Sequence, residues 1–151
     1  MLAIHLDGAG DVDALASSTD DGTVAWYDNL SPSPAPTPLP TALPSPAPTA
    51  SASPTHGSPA FLEHAISTSA DGAYSVFAID VDGDGDVDAL SASREDDTIA
   101  WYENDGDGTA WTYHEISTGY ASSVFAIDVD GDGDVDALSA RSQTIAWYEN
   151  A

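Results

Sequence analysis

The sequence of 151 residues has no cysteine and only two basic residues, Arg94 and Arg141. The absence of cysteine excludes disulfides, thiolate metal sites and cysteine nucleophiles. Two arginines cannot form the basic surface that phosphate backbones require, so we expect no nucleic-acid partner, and an anionic membrane surface is disfavoured for the same reason. No apolar run approaches the roughly 18 residues of a membrane span. The first residues also reach an Asp-Gly pair before they build the apolar core of a secretory signal.

Acidic side chains are abundant instead, and the sequence that carries them repeats. The chain has 26 aspartates and glutamates and a formal net charge of −24. The 17 residues from Val76 to Ala92 recur unchanged from Val124 to Ala140, 48 positions later, and a more divergent copy occupies residues 2–15. An aromatic segment follows each copy, reading Val-Ala-Trp-Tyr-Asp-Asn at 24–29 and Ile-Ala-Trp-Tyr-Glu-Asn at 99–104 and 145–150. Such periodicity indicates an array of similar structural units.

Each unit is predicted to consist of short strands joined by tight turns. In the second unit, apolar or β-branched runs at 75–79, 89–93, 98–103 and 111–118 alternate with polar and Gly-rich turns. Along the third strand, Ile99 and Trp101 should point to one face, and Ala100 and Tyr102 to the other. Four antiparallel strands in about 45 residues, apolar on both faces, predict a β-propeller blade. A parallel β-helix is the alternative, but its repeats are much shorter.

On this interpretation the chain divides into five segments. Residues 1–29 form strands 1–3 of the first blade, 30–59 are a disordered insert, and 60–74 are the last strand of that blade with its connection. Residues 75–118 are the second blade, and 119–151 are an incomplete third blade. All ten prolines lie between Pro32 and Pro59, where they favour polyproline II or disorder. The insert is predicted to replace the hairpin between the third and fourth strands of the first blade. It is either a solvated loop, a gene-prediction artefact or a glycosylated stalk.

The number of units raises the question of closure. Without the insert, the chain has room for about 2.6 units, whereas propellers close with roughly four to eight blades. Either the chain is a fragment of a larger protein, or it closes the propeller by self-association. An isolated arc would expose apolar blade faces and strand edges.

The acidic run of each intact unit has the spacing of a cation-binding loop. Carboxylates at loop positions 1, 3, 5 and 9 would converge on one point, glycine at position 6 allows the turn, and position 7 offers its backbone carbonyl. Oxygen donors in this number suit Ca²⁺ better than Mg²⁺, which demands a near-ideal octahedron. An EF-hand also needs flanking helices and an acid at position 12, where this chain has Ser91 and Ser139. The alternative is that these residues are merely solvated turns. The predicted ligands are Asp80, Asp82, Asp84, Asp86 and Asp88 in the second unit and Asp128, Asp130, Asp132, Asp134 and Asp136 in the third.

The first unit has lost part of this pattern. His5 and Ala9 stand where positions 1 and 5 need carboxylates. Only Asp7, Asp11 and Asp13 remain, so we expect this third site to be weak or empty.

These motifs resemble the FG-GAP/VCBS repeat family, in which an Asp-x-Asp-Gly-Asp-Gly-x-x-Asp loop precedes a short strand and an Ile-Ala-Trp-Tyr-Glu-Asn-like strand. Members of that family, the integrin α head among them, are β-propellers, commonly seven-bladed, with Ca²⁺ in hairpin loops on one rim. The resemblance implies an all-β, partial β-propeller of about three four-stranded antiparallel blades. It also implies two Ca²⁺ ions, one in each intact loop, and a degenerate third site.

The residues offer little for catalysis. There is no nucleophile elbow, phosphate loop or zinc-spaced histidine pair, and His64 and His114 occupy equivalent positions, as residues with a repeated structural role would. We expect a non-catalytic, calcium-binding segment for adhesion or recognition of a protein or glycan ligand. It should act outside the cell or at its surface, where millimolar calcium fills modest-affinity sites. The alternative is an accessory or lectin-like part of a carbohydrate-active protein, in which the repeated Trp-Tyr pairs stack on sugars.

Overall fold

The computed structural model describes residues 2–4, 6, 12–30 and 60–151. The regular secondary structure of these residues is entirely β. The strands are β1 (Leu2–Ile4), β2 (Asp13–Ser17), β3 (Val24–Asn29), β4 (Phe61–Ser67), β5 (Ala73–Ile79), β6 (Asp88–Ser93), β7 (Thr98–Asn104), β8 (Trp111–Thr118), β9 (Ser123–Ile127), β10 (Asp136–Ala140) and β11 (Ile145–Tyr148). The described residues contain no helix that is long and apolar enough to cross a membrane. The predicted insert, apart from Leu30, and the predicted ligands Asp7 and Asp11 lie outside the described residues.

The strands form three antiparallel sheets in chain order: β1-β2-β3-β4, β5-β6-β7-β8 and β9-β10-β11. The sheets stack side by side, because β5 lies against β1 and β2 of the first sheet and against β9 of the third. Stacked antiparallel sheets with their first strands adjacent are the blades of a propeller. The predicted all-β, partial β-propeller is therefore confirmed, with three strands described in the third blade.

The internal repeat is visible in the strand register. Leu15 pairs with Trp26 in the first blade, Leu90 pairs with Trp101 in the second, and residues 138 and 147 pair in the third. On either side of residues 31–59, β3 and β4 pair directly, and the Leu30 amide donates to the Ala60 carbonyl oxygen at 2.8 Å. The first two blades therefore share the same four-stranded order.

Each blade has two unlike faces, which we call the large face and the small face. In the second blade the large face carries Leu90, Ile99 and Trp101, and the small face carries alanines and Tyr102. The large faces of the first two blades each pack on the small face of the following blade. Trp26 therefore lies in one core with Tyr102, and Leu90 lies in another with Ala137. The alternation predicted for the third strand is confirmed. Full burial of one leucine or isoleucine here stabilises the fold by about 1.5–3 kcal/mol.

Candidate metal centre

The two intact acidic loops are equivalent hairpins. Residues 80–87 join β5 to β6, and residues 128–135 join β9 to β10. Each loop leaves the end of the first strand of its blade, and these first strands lie side by side. Both loops therefore lie on the same rim of the molecule.

Three of the predicted ligands in each loop come together. Single carboxylate oxygens of Asp80, Asp82 and Asp88 lie within 4.8 Å of one another. In the third blade the same is true of the corresponding residues Asp128, Asp130 and Asp136. In both sets the last aspartate is only 1% exposed, while the second is open to solvent. Each cluster thus has a buried base and an exposed mouth.

The loops are shaped by carboxylates that accept hydrogen bonds from backbone amides. Asp80 accepts from the amides of Gly83 at 2.8 Å and Gly85 at 3.0 Å, one on each oxygen. Asp82 accepts from the amide of Asp84 at 3.1 Å. The third blade repeats these bonds on Asp128, at 2.7 and 3.2 Å, and on Asp130, at 3.1 Å. Gly85, at position 6, has a φ of +101°, a backbone conformation that residues with a side chain rarely adopt.

The remaining predicted ligands lie apart from these clusters. The side chains of Asp84 and Asp132 accept from the next-but-one amide, at 2.8 and 3.0 Å, and form local turns. The Asp86 carboxylate faces the β7–β8 hairpin, where a Cβ built on Gly106 would come within 2.7 Å of its Oδ2. Asp86 and Asp134 were predicted to bind the ion through their backbone carbonyls. The direction of their side chains does not test that prediction.

The buried aspartate at position 9 ties two strands together in every blade. Asp88 Oδ2 accepts from the Val81 amide and Oδ1 accepts from the Asn104 amide, both at 2.9 Å. Asp136 does the same at 2.9 and 2.8 Å, with the amides of residues 129 and 150. In the first blade, Asp13 accepts from the amides of residues 6 and 29 at 2.9 and 3.1 Å. This residue therefore joins the end of the first strand to the end of the third strand.

The asparagine that closes the aromatic segment was missed by sequence reasoning. Asn104 is 2% exposed, and its Nδ2 donates to the carbonyl oxygens of Val87 at 3.0 Å and Leu6 at 3.3 Å. Its Oδ1 accepts from the amides of Gly106 and Gly108 at 3.2 and 3.0 Å. One side chain thus joins the acidic loop, the β7–β8 hairpin and the first blade. Its presence at the end of all three aromatic segments is the signal that could have identified it.

One comparison with known proteins agrees with this geometry. The FG-GAP-like repeat family matches residues 80–139. This part of the chain is similar to that family. The resemblance seen in the sequence is confirmed for the second and third units. No curated protein matches the chain, and no solved structure matches it either.

The matched segment, residues 80–139, contains both intact acidic loops, but their buried aspartates have different surroundings. Burial raises the pKa of Asp88 above its ordinary value, although the amides of Asn104 and Val81 partly offset this. The amides of Asn150 and Val129, in contrast, lower the pKa of Asp136. In the described part of the chain the second blade is covered on both faces and the third on one, so burial raises the pKa of Asp136 less than that of Asp88.

The donor chemistry of the matched segment fits a hard divalent cation. A carboxylate oxygen that accepts one N–H keeps a second lone pair, so Asp80 and Asp88 can bind an ion while they hold the loop. Neither arginine neutralises these clusters: Arg94 lies over the Tyr74 ring, and Arg141 donates to the Tyr148 hydroxyl at 2.7 Å. Oxygen-only, carboxylate-rich ligation is typical of Ca²⁺.

The two histidines considered for catalysis occupy equivalent places on the fourth strands. His64 stacks on Trp26 with ring centroids 4.2 Å apart, and His114 stacks on Trp101 at 4.3 Å. His114 Nε2 also lies 2.8 Å from a Glu103 carboxylate oxygen. The equivalent tryptophans differ in burial: Trp26, at the first junction between blades, is 3% exposed, and Trp147 is 45% exposed.

Proposed function

We propose that this chain is a non-catalytic, calcium-binding β-propeller segment that serves adhesion or ligand recognition outside the cell. The observation that supports it most is the repeated convergence of three aspartates in loops that belong to an FG-GAP-like repeat. Carboxylates this close repel one another in the absence of a cation. Bound Ca²⁺ would supply positive charge that offsets part of the formal net charge of −24.

The ligand set that we propose extends each cluster by the donors that the loop spacing predicts. Asp80, Asp82 and Asp88 would hold the ion together with the Asp84 carboxylate and the Asp86 carbonyl. Asp128, Asp130, Asp132, Asp134 and Asp136 would do the same in the third blade. Because Asp88 and Asp136 also join two strands, occupancy of the loop is linked to the stability of the blade. The first unit retains Asp7, Asp11 and Asp13, of which the structure describes only Asp13. We propose that this third site is weak or empty.

Titration calorimetry with Ca²⁺ tests this proposal. The wild-type chain should bind two ions, Asp80→Asn one, and the double variant Asp80→Asn/Asp128→Asn none. Asparagine keeps one of the two oxygens that accept the loop amides while it removes the charge. Glu115→Gln removes one charge from an exposed position on β8 and should still bind two, so it controls for the loss of overall negative charge.

Thermal unfolding provides the second measurement. With free Ca²⁺ at about 100 times Kd, each occupied site should add roughly 2.7 kcal/mol to the free energy of unfolding. A wild-type melting temperature that is the same in chelator and in excess Ca²⁺ would reject the metal proposal. Two remaining sites in Asp80→Asn would reject the ligand assignment.

Self-association is a further proposal about partners, supported by the large face of the third blade. Phe125, Ile127, Ile145 and Trp147 on this face are 47, 49, 82 and 45% exposed. Two copies of this arc of three sheets would give six blades, which lies within the usual range of four to eight. Light scattering should then give twice the chain mass, and Ile145→Asp should give a monomer. A monomeric wild-type chain, or a polydisperse aggregate, contradicts it.

The lectin-like alternative is supported by one of these residues. Trp147 is 45% exposed, and an exposed indole offers a flat apolar surface on which a sugar ring can stack. A glycan array probed with wild-type protein and Trp147→Ala separates this alternative from protein recognition. Binding that disappears in the variant supports it, and an array without binding rejects it.

A further inference from the structure

Arg94 stacks on an aromatic ring and has no acidic partner in the described part of the chain. Its guanidinium carbon lies 3.1 Å from the centre of the Tyr74 ring and 5.5 Å from that of the Tyr120 ring. Among the described residues its side chain makes no ion pair and donates no hydrogen bond, and of its side-chain nitrogens only Nε is buried. A guanidinium offers a planar fork of N–H donors that matches a carboxylate. In Arg94 the terminal donors of this fork face solvent.

The lack of a partner is unexpected, because acidic residues neighbour this arginine in the sequence and across the turn. The Asp71 carboxylate lies against the first blade, where a Cβ built on Gly22 would be 3.2 Å from its Oδ1. The Glu95 side chain packs on the backbone before β5, with its Cγ 2.8 Å from a Cβ built on Gly72. Asp96 accepts from the amide two residues further on at 3.1 Å. None of these carboxylates forms an ion pair with the guanidinium, which is therefore left free beside three acids.

The backbone around Arg94 is fixed on both sides. Its amide donates to the Gly72 carbonyl oxygen at 3.1 Å, and the Asp97 carbonyl oxygen at the other end of the turn accepts from the Gly119 amide. The β6–β7 turn thus joins the connection before β5 to the connection before β9. An arginine that is held by its backbone and stacked on a ring loses little conformational freedom when it binds a ligand.

Tyr74, Arg94 and Tyr120 form an exposed surface, which we call the Arg94 patch. The two tyrosines are 49 and 42% exposed. Tyrosine and arginine are among the residues enriched in the binding hot spots of protein interfaces, where a polar rim surrounds them. The three acids beside Arg94 supply such a rim. The Arg94 patch therefore has the composition of a small protein-binding surface.

The Arg94 patch lies at the opposite rim from the acidic loops. The 80–87 loop precedes β6 and the β6–β7 turn follows it, so the six residues of this strand separate them by about 20 Å. This distance exceeds the Debye length of about 8 Å at physiological ionic strength. The acidic loops therefore contribute little to the electrostatic potential at the patch, which is set by Arg94 and the acids beside it.

We propose that the Arg94 patch is a docking site for a protein segment that carries one acidic residue between basic residues. The carboxylate of that segment accepts two parallel, charge-assisted hydrogen bonds from the terminal N–H groups of Arg94. The basic residues pair with the acids that neighbour Arg94, such as Glu95 and Asp96. A purely acidic segment or an acidic glycan would leave these acids unpaired and would be repelled by them. The docking site rests on the proposed recognition function and names the chemistry of its partner.

Two capped peptides, Lys-Lys-Glu-Lys-Lys and Lys-Lys-Gln-Lys-Lys, serve as the probes. They are titrated into the ¹⁵N-labelled full chain in excess Ca²⁺ at about 150 mM salt, and the amide chemical shifts are followed by NMR. The Glu peptide should shift the amides of residues 74, 94 and 120 and should bind about tenfold more tightly than the Gln peptide. Non-specific attraction to the negatively charged chain predicts the opposite order, because the Gln peptide carries the larger positive charge.

Three protein variants locate the contact. Arg94→Gln removes the guanidinium and should abolish the preference for the Glu peptide. Arg94→Lys keeps the charge but not the fork of donors, so it should retain only part of the preference. Arg141→Gln removes the same charge from the third blade and should leave the preference unchanged.

The comparison of the two peptides on the wild-type chain needs no substituted protein, so the test holds even if a variant unfolds. Equal binding of the two peptides, tighter binding of the Gln peptide, or a preference that persists in Arg94→Gln overturns the proposal. Shifts confined to the acidic loops, or stronger binding of an oligogalacturonate at the same amides, also overturn it. Calcium binding is measured separately by calorimetry, so failure of the docking site can be distinguished from failure of the calcium proposal.

Discussion

Residues 76–92 and 124–140 have the same sequence, but their surroundings differ. In the second blade this segment lies between two other blades, and every residue of β6 is buried. In the third blade one face is uncovered in the described part of the chain, so Phe125 and Ile127 are about half exposed. The downstream strands show the largest contrast, because Ile99 is 0% exposed and Ile145 is 82% exposed.

The hydrogen bonds of the two loops do not follow this contrast. The loop bonds of Asp80 recur on Asp128, and the strand-joining bonds of Asp88 recur on Asp136, with similar lengths. The loop conformation is therefore determined by its own residues, while burial and pKa depend on the neighbouring blade. This separation can be tested with paired substitutions in the two copies.

The largest difference is expected for the paired isoleucines. Ile99→Ala creates a cavity in the core of the second junction and should lower the free energy of unfolding by about 2–5 kcal/mol. Ile145→Ala changes an exposed side chain and should cost less than about 0.5 kcal/mol. Urea unfolding at a concentration where the chain is monomeric measures both. Equal costs would show that the outer face of the third blade is covered within a single chain.

The paired asparagines should differ less. Asn104→Ala removes four side-chain hydrogen bonds, one of them to the first blade, and leaves buried partners unsatisfied. It should cost about 1–3 kcal/mol. Asn150 has a side-chain bond to the Val135 carbonyl oxygen at 3.3 Å, so Asn150→Ala should cost about 1 kcal/mol or less. Chemical denaturation of both variants decides this, and a larger loss for Asn150→Ala would contradict the role assigned to Asn104.

The smallest expected difference is in the titration of the buried aspartates. In chelator, the pKa of Asp88 should lie above the ordinary value of 3.8 and that of Asp136 below it. The Asp136 carboxylate then stabilises the fold above its unfolded pKa, and this contribution is lost as the pH falls through the lowered folded value. Burial of charged Asp88 is unfavourable, and protonation relieves that cost as the pH falls through its raised pKa. Carboxyl-carbon NMR titration measures both groups, and superimposable curves would refute the effect of the neighbouring blade.

Local features of this molecule could be predicted from sequence because they depend on neighbouring residues. The alternation of Ile99 and Trp101 determined the faces of β7, and the period-two aspartates placed Asp80, Asp82 and Asp88 in one cluster. The bond of Asn104 to Leu6 could not be predicted, because it depends on the docking of two blades and joins residues 98 positions apart in the chain. The three equivalent tryptophans likewise differ in exposure, since a repeated sequence does not show which blade has a neighbour.

The strand-joining aspartate has a consequence for protein engineering. Asp13 keeps both amide partners in a unit whose loop has histidine and alanine at two ligand positions. Its role in joining the strands is therefore separable from ion binding. In an engineered tandem array, positions 1 and 5 of every loop could therefore be replaced while this aspartate is retained, and the blades should still fold in calcium-free media.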